Sequence, residues 1–411
     1  MEKEEKNNRP ICESNKGVFN ESQNFLENKN SKNKNFCGNQ MNYNKNEMNL
    51  RQANSPEIRD NFPFSPKIGL KNIGVTCYMN ATLQCFCHIE KFVNFFKYSQ
   101  QVNSMVRNNK NNLTSSFKLL IEELWPNNYD ESYSQKYYAP EEFKNKISKM
   151  NPLFEGIAAN DAKDLIYFII MTLHQELNKA KKSDNNNNNT NLDQRNQQVM
   201  LNNFAQNFIS ENQSIISNLF YGINCNINQC CNCNSNFYNY QIYFSLEFPL
   251  EEVRKFKNNN FLNNSVNIYD CFDYDRKVNL MYGENSMFCN FCKQTTNCKM
   301  CTCLKTGPEI LILLLKRGKG IEFNVKINFM EDLDLSNYIE LKNTVFKYKL
   351  IGVITHIGKC DSSGHFIAFC KDPISQSWNK YNDAIVSEVK DFQNEVINFG
   401  EPYILFYQKY S

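Results

Sequence analysis

No apolar stretch in this sequence is long enough to cross a membrane. The longest unbroken aliphatic run, Ile310 to Leu315, falls far short of the roughly 20 residues a bilayer demands. The sequence does not open on a signal peptide either, because MEKEEKNNRP offers acids and amides where an apolar segment belongs. An excess of charge is also lacking: 46 Lys and Arg stand against 43 Asp and Glu, a formal net charge of +3. That balance gives no bulk electrostatic reason to hold nucleic acid or anionic lipid. These absences set the expectation of a cytosolic or nuclear protein with neither nucleic acid nor membrane as a partner. Histidine is scarce too. His88, His174, His356 and His365 are the only four among 411 residues, so any imidazole chemistry must draw on them.

Cysteine, by contrast, is plentiful, and the 17 present make an odd total. In a compartment that keeps thiols reduced, cysteines read as metal ligands, a nucleophile or small buried apolar residues rather than as disulfides. At about 100–200 residues per domain the length allows two or three domains and an ample core, so a monomer needs no disulfide staples. Residues 1–66 are dominated by Asn, Lys, Glu and Ser and bury too little apolar area to offset the entropy of ordering, which predicts a disordered tail. A second low-complexity stretch, 181–198, contains the run Asn185 to Asn189 and is expected as a surface loop. No internal repeat is present.

Between these stretches the apolar residues recur at helical spacing. Leu83, Phe86, Ile89, Phe92, Val93 and Phe96 read as one buried helix face, with similar stripes at Phe117 to Leu124 and Leu165 to Leu177. After about residue 215 the pattern shifts to short aromatic and β-branched runs such as Tyr240 to Leu246, Glu309 to Leu315, Tyr348 to Thr355, Phe366 to Cys370 and Tyr403 to Tyr407. Helices followed by strands predict an α+β architecture.

His88 and His174 fall inside helical stripes and read as packing residues. His365 instead lies in SSGHFIAF, where a loop enters an apolar strand, a suitable place for a base. Cys77 directly precedes an amphipathic helix in GLKNIGVTCYMN, with Thr76 placed to cap it. A thiol there feels the positive end of the helix dipole, which favours thiolate. Asn72 adds an amide of the kind that stabilises an oxyanion. By local sequence alone, however, the reading of Cys77 as an inert buried thiol is the stronger one, since free Cys is among the most buried residue types. Cys230-x-x-Cys233 and Cys289-x-x-Cys292 form two chelating half-sites that together spell a closed, structural four-cysteine zinc site. Neighbouring Cys225, Cys231, Cys298, Cys301 and Cys303 leave the ligand choice open, and core packing remains the plain alternative. The site's surroundings are not clustered Lys and Arg, which argues against a nucleic-acid-binding ribbon.

Taken together, GLKNIGVTCYMNATLQ, NPLFEGIAANDAKDLIYFIIMTLHQELN, QCCNCNSNFYNYQIYFSLEFPL, SMFCNFCKQ followed by GPEILILLLKR, VITHIGKCDSSGHFIAFCKDPISQSWNKYNDAIV and PYILFYQK resemble, in order, the boxes of the ubiquitin-specific proteases. These are papain-like cysteine peptidases, and the resemblance runs from about Ile68 to Lys409. It implies a right-hand fold with a helical thumb (67–180), zinc-tipped β fingers (about 215–305) and a β-sheet palm (306–411) within a catalytic domain spanning 67–411. Carried over by position, Cys77 is implied as nucleophile, His365 as general base, Asn382 as the residue that orients the imidazole with Asp383 beside it, and Asn72 as an oxyanion donor. Asp161 and Asp164 fall where the family meets the basic tail of ubiquitin. Cys230, Cys233, Cys289 and Cys292 fall on the ligands of one structural zinc ion.

The implied activity is hydrolysis of the isopeptide or peptide bond after ubiquitin's terminal Gly, with ubiquitin and ubiquitinated proteins as partners. Within the same fold, an inactive ubiquitin-binding scaffold or a protease for a ubiquitin-like modifier are the alternatives. A zinc-dependent interaction module with an unrelated thiol is the alternative from another class. The sequence departs from the family pattern at Val75, where many members carry Asn, at Asn160 for Gln, Asp164 for Glu, Leu165 for Phe, and Phe366 for Tyr.

Overall fold

The computed structural model describes residues 67–108, 112–127, 137–180, 197–257, 264–317, 324–339, 346–359 and 363–410. The tail expected over 1–66 and the loop over 181–196 lie outside the described residues, whereas Gln197 and Gln198, expected in that loop, begin a helix. The first half is helical: α1 (Cys77–Cys87), α2 (Glu90–Tyr98), α3 (Gln100–Asn108), α4 (Leu113–Leu124), α5 (Glu141–Met150) and α6 (Ala162–Leu177). Two short strands, β1 (Gly69–Leu70) and β2 (Tyr137–Tyr138), pair in parallel among them.

The helix face predicted from Leu83 to Phe96 is divided between α1 and α2. The amides of His88 and Ile89 bond three residues back, to the carbonyls of Cys85 and Phe86, which tightens the last turn, and Ile89 is extended. The stripe nevertheless enters one core. Phe86 meets Phe92, Phe117, Phe220 and, across the layer boundary, Phe406, with ring centroids 5.6 to 6.2 Å apart. Truncating such a ring to Ala costs about 3–5 kcal/mol. Side-chain oxygens start the helices: Asn112 accepts the Ser115 amide at 2.8 Å ahead of α4, and Asp161 accepts the Lys163 amide at 2.8 Å ahead of α6.

The second half contains more helix than its sequence pattern predicts: α7 (Gln197–Glu211), α8 (Ile215–Phe220), α9 (Leu250–Lys257) and α10 (Ile268–Asp275). Strands β3 (Gly222–Cys230), β4 (Asn236–Tyr243), β5 (Leu246–Pro249), β6 (Ser265–Asn267), β7 (Asn279–Met281), β8 (Met287–Cys289), β9 (Gln294–Thr296), β10 (Cys298–Thr306) and β11 (Ile310–Lys316) come first. They are followed by β12 (Lys326–Asn328), β13 (Asp332–Asp334), β14 (Lys347–Lys359), β15 (Ser363–Lys371), β16 (Trp378–Asn382), β17 (Ile385–Glu388) and β18 (Glu401–Tyr410).

The palm sheet runs β17-β16-β15-β14-β18-β11-β5, with β13 on β14. Both of its faces are covered, which explains the unbroken aliphatic run of β11. Ile310, Ile312 and Leu314 enter the core shared with the helices, while Leu311, Leu313 and Leu315 enter a second core closed by Val253, Ile268 and Phe272 of α9 and α10. A smaller sheet, β4-β3-β10-β7, packs against Leu201 and Ala205 of α7, and the β8–β9 hairpin lies at its tip. The expected α+β class therefore holds, with thumb, palm and fingers recognisable as layers.

Candidate active site

Cys77 opens α1 at 5% exposure, where that helix crosses beneath β15 and β16. The preceding loop is built around the Asn72 side chain, whose oxygen accepts from the amides of Gly74 (3.3 Å) and Thr76 (3.0 Å) and from the Thr76 hydroxyl (3.3 Å). Thr76 does not supply the side-chain cap expected of it. Its hydroxyl turns back to accept the Ile73 amide at 3.1 Å. Gly74 has φ +124° and Val75 φ +49°. For a β-branched residue the left-handed region is strained, so this loop holds its shape against a local cost.

Across the cleft, β15 carries His365 and β16 ends at Asn382. The Asn382 side-chain oxygen lies 2.7 Å from His365 Nε2. An amide oxygen only accepts, so Nε2 holds the ring proton and Nδ1 keeps the lone pair. Asp383, at φ +51°, stands 3.9 Å from the same nitrogen. Its carboxylate is committed elsewhere, accepting Asn72 Nδ2 at 3.0 Å and Asn80 Nδ2 at 2.8 Å. Asn72 thus spends one amide hydrogen on Asp383 and retains a second. Asn80 was not singled out in the sequence, although it sits one helical turn after Cys77.

The helix start does not lower the Cys77 thiol as expected. Burial pushes it above its ordinary value, the Asp383 carboxylate adds to that, and the backbone N–H groups of Phe366, Tyr78 and Cys77 itself pull the other way without prevailing.

The two acids divide. Asp161 caps α6 with one oxygen and accepts the Tyr403 hydroxyl on the other at 2.7 Å. Asp164 is more open, 3.8 Å from Lys163 Nζ, and burial with the neighbouring Asp161 raises its carboxyl. Asn160 Nδ2 reaches the Tyr78 hydroxyl at 3.4 Å. The Phe366 ring lies between His356 (5.0 Å) and Tyr403 (5.8 Å), so the phenol packed beside this ring, which has no hydroxyl of its own, belongs to Tyr403.

Far along the fingers, Cys230 and Cys233 at the β3–β4 turn meet Cys289 and Cys292 at the β8–β9 turn, all four sulfurs within 4.8 Å of one another. The pairs Cys230–Cys292 and Cys233–Cys289 are 3.8 and 3.5 Å apart. Sulfurs around a tetrahedral ion with bonds of about 2.3 Å stand about 3.8 Å apart, so the set fits a metal. Amides of Asn232 and Cys292 point at Cys230 and Cys289 at 3.4 Å each, and Thr296 Oγ1, absent from the sequence reading, lies 3.2 Å from the Cys230 sulfur. Cys298 faces Cys230 across the β3–β10 ladder and Cys303 faces Cys225. Among the described residues, neither they nor Cys231 or Cys301 join a metal-sized group.

The model of a family described as ubiquitin carboxyl-terminal hydrolase matches residues 68–407. Over 347 residues the chain is 24% identical to ubiquitin carboxyl-terminal hydrolase Usp2 of Drosophila melanogaster, covering 83% of this chain and 34% of that protein. Over 348 residues it is 27% identical to ubiquitin carboxyl-terminal hydrolase 2 of Gallus gallus, covering 83% and 92%. The chain spans 54% of the Bos taurus relative of the same name, so several relatives extend well beyond it. Among solved structures, the SAGA DUB module Ubp8/Sgf11/Sus1/Sgf73 bound to monoubiquitin superposes with a TM-score of 0.65 at 21% identity, covering 97% of this chain and 76% of that one. The same module bound to ubiquitin aldehyde gives 0.60 at 22%, covering 87% and 71%. At such identity the likeness bears on the fold.

Proposed function

The chain belongs to the ubiquitin carboxyl-terminal hydrolase family, and from that membership we propose that it is a thiol-dependent deubiquitinase cleaving the bond after the terminal Gly of ubiquitin. The observation that carries the reading is the 2.7 Å contact from His365 to Asn382 on strands laid over the helix that Cys77 begins. On this reading His365 Nδ1 takes the Cys77 proton as the sulfur attacks the scissile carbonyl. The oxyanion is met by the second Nδ2 hydrogen of Asn72 and the Cys77 amide. The protonated imidazole then hands its proton to the departing amine, and water attacks the thioester with His365 again as base. Burial and the Asp383 carboxylate raise the Cys77 thiol above its ordinary value, so the attack calls for a base such as His365 to take its proton.

Asp164, with Asp161 behind it, is the acid offered to a basic substrate tail. Zinc is the ion proposed at Cys230, Cys233, Cys289 and Cys292, where it supplies a cross-link between two hairpins and no open position for catalysis. Residues 67–180 act as the thumb, the β4-β3-β10-β7 sheet with the β8–β9 hairpin as the fingers, and 306–411 as the palm; the stretch from β5 through α10, expected among the fingers, belongs with the palm because β5 pairs with β11. The whole would work as a monomer in the cytosol or nucleus on ubiquitinated proteins.

Ubiquitin bearing a C-terminal electrophile tests the reading. The wild-type chain should form a covalent adduct that Cys77→Ser abolishes. Binding without any adduct would mean an inactive ubiquitin-binding scaffold, and labelling only by a probe built on a ubiquitin-like modifier would redirect the substrate assignment.

A further inference from the structure

His88 was expected to be a packing residue, and it is buried, at 7% exposure. Its hydrogen bonds point to more. Nδ1 lies 2.7 Å from the Gln84 carbonyl oxygen. A carbonyl only accepts, so Nδ1 carries the proton and the neutral ring turns Nε2, an acceptor, to the Tyr381 hydroxyl at 2.8 Å. Burial disfavours a second proton on this ring. The imidazole is also held by rings, with Tyr381 at 4.9 Å and Trp125 at 6.3 Å between centroids, and the Trp125 indole N–H in turn donates to the Cys87 carbonyl at 2.9 Å.

Tyr381 immediately precedes Asn382 on β16. Successive residues of a strand point to opposite faces, so Tyr381 enters the core beneath the sheet while Asn382 meets His365 above it. One turn into α1, Asn80 holds Asp383 at 2.8 Å. The helix that begins with the nucleophile therefore grips the segment 381–383 at two points, about 12 Å apart along its axis. We propose that His88 is a positioning residue of the catalytic set: through Tyr381 it fixes the roll of β16 and with it the aim of Asn382 at His365. A strand free to roll about its axis would carry Asn382 away from the imidazole without disturbing the substrate groove.

This inference rests on the deubiquitinase reading, and the test separates the two. The variants His88→Leu, His88→Gln and Tyr381→Phe are compared with wild type for Tm, for kcat and KM on a ubiquitin fluorogenic substrate, and for the His365 imidazole NMR shift, which a chain with four histidines makes readable. Tyr381→Phe and His88→Leu should lower kcat about tenfold with KM held within about twofold, and should move the His365 resonance. His88→Gln keeps a donor for Gln84 and an acceptor for Tyr381, so it should recover most of the lost kcat. If His88→Leu does not fold, Tyr381→Phe, which lacks only a hydroxyl, decides. Normal kcat and an unmoved His365 resonance in Tyr381→Phe overturn the inference and leave the function standing. An inert wild type overturns both.

Discussion

Cys77 and Cys230 are the same residue type in opposite electrostatic settings. At the start of α1, burial raises the Cys77 thiol and three backbone N–H groups fail to compensate. At the fingertip, burial also opposes ionisation of Cys230, yet the Thr296 hydroxyl, the Cys233 and Asn232 amides and the Cys289 thiol bring it down to about 6. Cys233, assisted first by Ser235, is lowered as well. The position at the start of a helix does not decide the matter. What decides it is how many donors are already aimed at the sulfur and how much water was removed to aim them. The fingertip favours anionic sulfur at Cys230 and Cys233, while Cys292, hydrogen-bonded to Cys233 and desolvated, is pushed up to about 12. The Cys77 sulfur is held toward its protonated form by burial and by the Asp383 carboxylate.

The contrast breaks first on pH. Alkylation of Cys77 in the free chain by iodoacetamide should climb about 100-fold between about pH 7 and 9, because the reactive thiolate of a raised thiol is still increasing there. A plateau reached below about pH 7 would mean that the helix start prevails over burial.

A replacement pair comes next. Asn382→Ala should lower kcat on a ubiquitin fluorogenic substrate by up to about 100-fold, since the imidazole loses the acceptor that fixes its tautomer. Asp383→Ala should act through Asn72 and Asn80, whose amides it holds. Near-normal turnover of Asn382→Ala beside a collapse of Asp383→Ala would reverse these roles.

At the fingertip, Thr296→Val removes one hydroxyl from the Cys230 sulfur. Retention of metal against a chelator should weaken by about tenfold while labelling by the ubiquitin electrophile stays intact. Equal loss of both would erase the separation between the two regions.

The smallest effect concerns the backbone. Val75 in the loop before Cys77 and Asn234 at the fingertip both have positive φ, +49° and +56°, but only Asn adopts it readily. Val75→Asn should add about 1 kcal/mol to stability in denaturant unfolding, and Asn234→Val should remove a similar amount. A destabilised Val75→Asn would show that the exposed valine makes a contact worth more than the strain.

The two cysteine pairs and the His365 segment are legible as short motifs, whereas Asn382 and the choice of cysteine ligands rest on the family resemblance. The structure places Asn382 2.7 Å from His365 and gathers the sulfurs of Cys230, Cys233, Cys289 and Cys292. The sign of the Cys77 shift was not legible, because desolvation depends on what covers the sulfur, and β15 arrives from the far end of the sequence. Thr76 reads as a cap, but its hydroxyl donates to Asn72 and accepts the Ile73 amide, a competition between local N–H donors that composition does not rank. Helices α9 and α10 escaped notice because each is only two turns long, too short for a period of 3.6 to stand out from strand-like neighbours. The divided stripe at Ile89 kept its burial and changed only its backbone, so its residues were identified correctly and its element was not.

The order of the palm strands sets a schedule for the chain's birth. β18, latest of the described strands to be synthesised, lies between β14 and β11 and pairs with both. Until residues 401–410 have left the ribosome, the aliphatic β11 has an open edge on that side, and among the described strands the half of the palm that carries His365 has no strand pairing with the β5–β11 half. The nascent polypeptide must therefore keep an edge of one of its stickiest segments unpaired while β12 to β17 are made. Completion of the palm sheet that carries His365 and Asn382 waits on β18, and the interval before it emerges is when a chaperone would be needed most.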